Sequence, residues 1–264
     1  MDSIRIRTDA NCQRANLVPE LSIGLVLVFA FLFLADFAFI GDVSVKLTVY
    51  GLAAIFYTIF AVLVLKGWQT GPAYRDFGWA NRVTLLRGAL TVTLATLAWF
   101  PDILSEVAWP FALTGLAILL LDGVDGAIAR RSGFKSDFGA RFDMELDALL
   151  IVVLCIALIN LDKTGLWVLA LGMMRYAFII VGRLWPVLQL PLPESFRRKT
   201  VCVWQIATLM IAILPMVSVE FAFWTLALAL VLLVYSFAVD TACLVRHRRS
   251  NISQNTDSQT RSAT

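Results

Sequence analysis

Residues 21–40 read LSIGLVLVFAFLFLADFAFI, a run in which apolar side chains follow one another without the period-two alternation of a membrane strand. About 20 such residues cross a hydrocarbon core of roughly 30 Å as a helix. The same reading recurs at approximately 45–65, 82–100, 107–128, 143–160, 164–184, 200–217 and 220–245. It predicts an all-α polytopic membrane protein with about eight transmembrane helices. Composition agrees: of 264 residues 59% are hydrophobic and 16% charged, with a mean hydropathy of +0.80, far more apolar than a soluble core requires.

Basic residues set the expected orientation. Of the 22 Lys and Arg, the opposite loops hold only Lys46 and Lys163, Arg175 falls inside an apolar segment, and the rest gather at 1–20, 66–87, 130–141, 183–199 and after 245. Cytoplasmic loops collect such charge, so both termini are expected in the cytoplasm, as for a bacterial inner-membrane protein. The first apolar run has no small-residue cleavage site, which predicts a retained anchor. The mixed segment GWQTGPAYRDFGWAN at 67–81 divides the chain. The expected units are a cytoplasmic amino terminus (1–20), a two-helix extension (21–66), a six-helix unit (67–249) and a disordered polar tail (250–264).

The chemistry-bearing residues are few. His247 is the one histidine, and Cys12, Cys155, Cys202 and Cys243 stand far apart, so neither a zinc site nor a Ser/His/Asp triad can be assembled. Acid-base work must fall to carboxylates. They cluster at residues 120–150, LLDGVDGAIARRSGFKSDFGARFDMELDALL. Helical spacing aligns Asp122, Asp125, Gly126, Ala129 and Arg130 on one face, and Gly139, Asp143 and Asp147 on another, while Glu145 points away. Four converging carboxylates in a low-dielectric setting call for cations, and an oxygen-only donor set favours two Mg²⁺ or Mn²⁺ ions, which commonly sit between carboxylates and substrate phosphates. Arg130 could then hold a diphosphate, with Gly126 and Ala129 leaving room for a nucleotide against the backbone.

The string Asp122, Asp125-Gly126, Ala129-Arg130, Gly139, Asp143, Asp147 resembles the complete signature of the CDP-alcohol phosphotransferase (CDP-alcohol phosphatidyltransferase) family, all eight fixed positions standing at the family's spacing. The resemblance implies a six-helix catalytic unit, a homodimer, two metal ions and a CDP moiety at the cytoplasmic face. Asp122, Asp125 and Asp143 match metal ligands, and Asp147 matches the general base and second-metal ligand. Gly126, Arg130 and Ser136 match donor-binding positions. Upstream, Asn81 and Thr84 with Arg87 look like the element that opens the family's first core helix and touches the donor. Downstream, Lys199, Cys202 and Gln205 resemble a Lys, Thr, Gln element of lipid synthases, with cysteine in place of threonine.

The reaction implied is transfer of a substituted phosphate from a CDP-alcohol to an acceptor alcohol with release of CMP. If the fourth apolar segment enters near Val107, Asp122 lies about 22 Å along it, a depth that suits a lipid headgroup and favours CDP-diacylglycerol as donor with a water-soluble acceptor. A soluble choline- or ethanolamine-type donor with diacylglycerol as acceptor is the alternative. Ala148 stands where many phosphatidylglycerophosphate synthases carry lysine, which speaks against that acceptor. Arg175, near mid-membrane, and Arg183, Arg197, Arg198 and Lys199 are candidate acceptor ligands for an anionic alcohol. The competing readings are a salt-bridged helix pair, an Arg175 paired with Asp36 or Asp240, or a cation or proton transporter. Nothing points to a nucleic-acid partner.

Overall fold

The computed structural model describes residues 17–34, 43–68, 79–132, 137–184 and 196–262. Among them there is no strand, and the helices are α1 (Leu17–Leu34), α2 (Val43–Trp68), α3 (Trp79–Leu97), α4 (Pro101–Glu106), α5 (Ala108–Ser132), α6 (Asp137–Asn160), α7 (Leu169–Leu184), α8 (Phe196–Ile213) and α9 (Val219–Ser262). A helix satisfies its own backbone groups, the condition a chain must meet in hydrocarbon. Each of the eight apolar segments lies within or overlaps one long helix; α4 is a short turn of helix begun by Pro101 at its first positions. Among the described residues, three stretches qualify as membrane spans by length and hydropathy alone, Leu17–Leu34, Val43–Gly67 and Val219–Ala242. Each is only 28% buried within the protein, so most of its apolar surface faces outward, as lipid contact requires. Of the inner helices, α6 carries Asp143, Glu145 and Asp147 within its apolar run, whereas α7 has only 16 residues.

α3 is central: it packs against α2, α5 and α6, while α8 packs against α5, α6 and α9, and α7 against α6 and α9. α3 holds several threonines, and their hydroxyls are absorbed locally. Thr91, Thr93 and Thr96 donate to the carbonyls of Arg87, Ala89 and Val92, one turn back, so none needs water. At the far end of this pair the Asn160 side-chain amide donates to the Ala98 carbonyl at 2.7 Å. α3 and α6 therefore run side by side in the same direction. Beyond α6 the chain turns through Asp162, which has a positive φ of 54°, a left-handed position that aspartate tolerates better than most residues. Lys163 then reaches across the end of the bundle, its Nζ donating to the carbonyls of Leu214 and Val217.

Two expectations meet the structure differently. Residues 250–264, expected to be disordered, are helical through Ser262 as the end of α9, although the segment is rich in Ser, Asn, Thr and Asp, which are weak helix formers. The expected divider at 67–81 narrows, since α2 continues to Trp68 and α3 opens at Trp79; residues 69–78 lie outside the described residues.

Candidate active site

α3, α5 and α6 each bring polar side chains to one level of the bundle. On α3, the spacing of Thr84, Arg87 and Thr91 puts them on one face, and all three are buried, Arg87 to 1% exposure. On α5 the same level holds Asp122, and on α6 it holds Asp143 and Asp147, one turn apart. The Arg87 guanidinium joins all three. Its Nη2 lies 2.9 Å from Asp122 and donates to Asp147 at 2.6 Å, and its Nη1 donates to Asp143. A planar fork with several donors can serve three carboxylates at once, which a lysine cannot.

This arrangement answers an electrostatic need. Carboxylates brought together away from bulk water repel one another, and each loses hydration; a buried cation with short hydrogen bonds offsets both costs. The aspartates retain some access, with side-chain exposures of 31% for Asp122, 36% for Asp143 and 26% for Asp147. The cluster is thus half-open, shielded by protein on the Arg87 side and reachable from the other.

The donor set also fits a divalent cation. One carboxylate oxygen from each of Asp122, Asp143 and Asp147 lies within 4.8 Å of the others. Two oxygens on one Mg²⁺ at about 2.1 Å stand roughly 3 to 4 Å apart, so a small side-chain movement brings the three onto a shared ion. All donors are hard oxygens, the set that suits Mg²⁺ and Mn²⁺.

The other expected site residues divide. Asp125, Gly126, Ala129 and Arg130 lie on α5 beyond Asp122, with their side chains outside the described residues. Gly139 lies one turn before Asp143 on α6, and half-buried Asn81 opens α3. Ser136 lies outside the described residues. Of the downstream element, Cys202 is a half-buried thiol on α8 packed against the apolar core. Gln205 instead turns its amide to the Leu171 carbonyl at 2.9 Å, holding α8 to α7.

Among the described side chains, the candidate acceptor residues pair with different acids. Arg175 pairs with Glu145 at 2.7 Å, beside Tyr176, whose hydroxyl is 3.4 Å from the same carboxylate. That settles where Glu145 points: away from the aspartates, toward α7. It also differs from the pairing considered for Arg175, because Asp240 is taken by Arg197, with Arg198 at 4.0 Å, and Asp36 lies outside the described residues. Arg183 lies in α7 and Lys199 in α8. Arg87 is the residue whose weight sequence reasoning understated. It stood both among the loop charges that set orientation and, with Asn81 and Thr84, in the element expected to touch the donor, but its place inside an apolar segment carried the same warning as Arg175.

An acid-rich polar centre enclosed by an apolar helical bundle defines a membrane protein built around a charged site. The profile of the CDP-alcohol phosphatidyltransferase family matches residues 77–235, from just before α3 into α9, and the chain belongs to that family. No curated protein and no solved structure matches it. Membership makes it a membrane transferase of phospholipid biosynthesis that passes a phosphatidyl group from a CDP-alcohol, in a family that uses divalent metal.

Proposed function

We propose that the chain transfers the phosphatidyl group of CDP-diacylglycerol to a water-soluble alcohol, releasing CMP, at a two-metal site on the cytoplasmic side of an eight-span bundle. The observation that carries this reading is the meeting of Asp122, Asp143 and Asp147 within 4.8 Å, at the positions where the family signature has its ligands. Asp122, Asp125 and Asp143 hold metal, and Asp147 belongs both to the second ion and to the acceptor. When bound, the ions stabilise the charge that develops on the entering and leaving oxygens.

The chain's own residues do the rest. Asp147 takes the proton of the acceptor hydroxyl; the hydroxyl oxygen forms a bond to the β-phosphorus, and the bond from that phosphorus to the bridging oxygen breaks, so the electron pair leaves with CMP. Arg130 steadies the diphosphate, Gly126, Ala129, Ser136 and Gly139 make room for and contact the nucleotide, and Asn81 and Thr84 approach it from α3. Arg87 holds the aspartates in register from beneath. Arg175 is the leading acceptor ligand, with Arg183, Arg197, Arg198 and Lys199 less directly placed. The protein works as a homodimer in a bacterial inner membrane, termini inward.

CMP release from CDP-diacylglycerol by the purified protein in proteoliposomes, with Mn²⁺ or Mg²⁺ and a panel of soluble alcohols, tests the proposal. Release that depends on both cation and acceptor is expected. Release only with CDP-choline or CDP-ethanolamine and diacylglycerol would reverse donor and acceptor, and cation flux without CMP would replace the reading with transport.

A further inference from the structure

α1 and α2 precede the matched region, which begins at residue 77, and supply none of the candidate site residues. They nevertheless reach the polar centre. Phe60 of α2, 6% exposed, points between α3 and α6. On the α3 side its ring lies directly on Gly88, the residue after Arg87: a Cβ there would fall 2.8 Å and 3.1 Å from Cε2 and Cε1 and closer still to Cζ. On the α6 side it packs on Phe142, the residue before Asp143, with ring centroids 5.9 Å apart. One ring thus touches the neighbours of both partners in the Arg87–Asp143 ion pair.

The ring is itself held. Tyr57, one turn earlier on α2, packs on Phe60 at 5.8 Å and donates its hydroxyl to the Leu21 carbonyl of α1. Phe29 of α1 stacks on Tyr50 of α2 at 5.7 Å. Glu20 at the head of α1 pairs with Arg82 at the head of α3 at 2.7 Å. The extension is therefore fastened to α3 at two levels, six residues apart in sequence, with Arg87 and Gly88 at the inner one. Close-packed interiors transmit displacement rather than absorb it, so the width of the ring fixes how near α3 and α6 approach at this level.

We propose that Phe60 is a positioning residue, a wedge supplied by the two-helix extension that sets the spacing of Arg87 and Asp143 and through it the cation affinity of the aspartate cluster. The inference rests on the reading of that cluster as a metal site. It gives the extension a role in the reaction rather than in anchoring alone.

The test uses the full chain in one detergent, with Mn²⁺ binding followed by the electron paramagnetic resonance signal of the free ion and thermal midpoints measured alongside. Phe60→Ala removes the wedge and Gly88→Ala forces it aside; each is expected to weaken Mn²⁺ binding about tenfold, the size typical of losing a group that orients metal ligands. In the double variant the new methyl occupies part of the space the ring has left, so the combined loss should be clearly smaller than the product of the two. Phe60→Leu should stay close to the parent. A packing role alone lowers the midpoint and leaves the affinity of the folded protein unchanged; that result, or fully independent effects in the double variant, overturns the proposal. Should Phe60→Ala not fold, Phe60→Val and Gly88→Ala carry the same comparison. A parent chain that binds no Mn²⁺ overturns the metal reading and this inference with it, and is told apart because the failure precedes any substitution.

Discussion

Arg87 and the aspartates are not equivalent to one another, and substitution should separate them. Arg87→Ala leaves three carboxylates facing each other without their guanidinium. Breaking a fully buried pair costs about 3–5 kcal/mol, but these carboxylates keep some access to water, so a loss of roughly 1–3 kcal/mol is expected in thermal unfolding with chelator present. Arg87→Lys restores a charge without the fork and should recover only part of it. Asp122→Asn and Asp143→Asn should lose Mn²⁺ binding and, with it, metal-dependent CDP-donor binding. Asp147→Asn should keep more donor affinity while CMP release falls by about 10² to 10⁴, the usual reach of a general base; near parental turnover would remove Asp147 from that role. Arg175→Ala should raise the acceptor KM about tenfold and spare the donor KM, on the scale of a lost charge-assisted hydrogen bond; an unchanged acceptor KM and rate would take Arg175 out of the pocket. That Asp122, Asp143 and Asp147 meet was legible in the sequence, because helical periodicity and the signature's spacing coincide on them. Arg87 was expected beside Asn81 and Thr84 as a donor contact, and its bonds to three acids were not legible, because spacing on α3 says nothing of which side chains of α5 and α6 meet it.

Among the elements, α3 shows most clearly what periodicity leaves open. Its limits were nearly correct as an apolar segment at 82–100, but which face meets which neighbour depends on Gly88 and on the self-satisfied threonines, features without a hydropathy signal. α9 shows the reverse case: its polar end is rich in weak helix formers, yet the helix runs on through Ser262. The loop at Lys163 offers a test of local contributions. Its ammonium bonds the carbonyls of Leu214 and Val217, tying the end of α6 to the turn between α8 and α9, far along α6 from the aspartates. Lys163→Met should lower stability by about 1–3 kcal/mol, the range for hydrogen bonds from a charged donor, with CMP release per folded molecule unaltered. A specific loss of turnover at full stability would place this end of the bundle in the reaction.

Across the whole molecule, orientation is the largest claim that hydropathy and charge make together. Single cysteines introduced at positions 135 and 255 should label from the same side of the membrane, and one at Lys163 from the other; opposite labelling of 135 and 255 would undo the eight-span arrangement. The three strongest spans are the first two helices and the last, so the segments best able to enter a bilayer on their own flank the ones that carry charge. That order bears on biogenesis. Arg87 offsets part of the acidic charge from within the chain, so the inner helices can be laid down together before any cation arrives from outside. Cells grown with a divalent chelator should therefore still accumulate the parent protein in the membrane, to be activated later by added Mn²⁺, whereas Arg87→Leu should be recognised by quality-control proteases and fall severalfold in abundance.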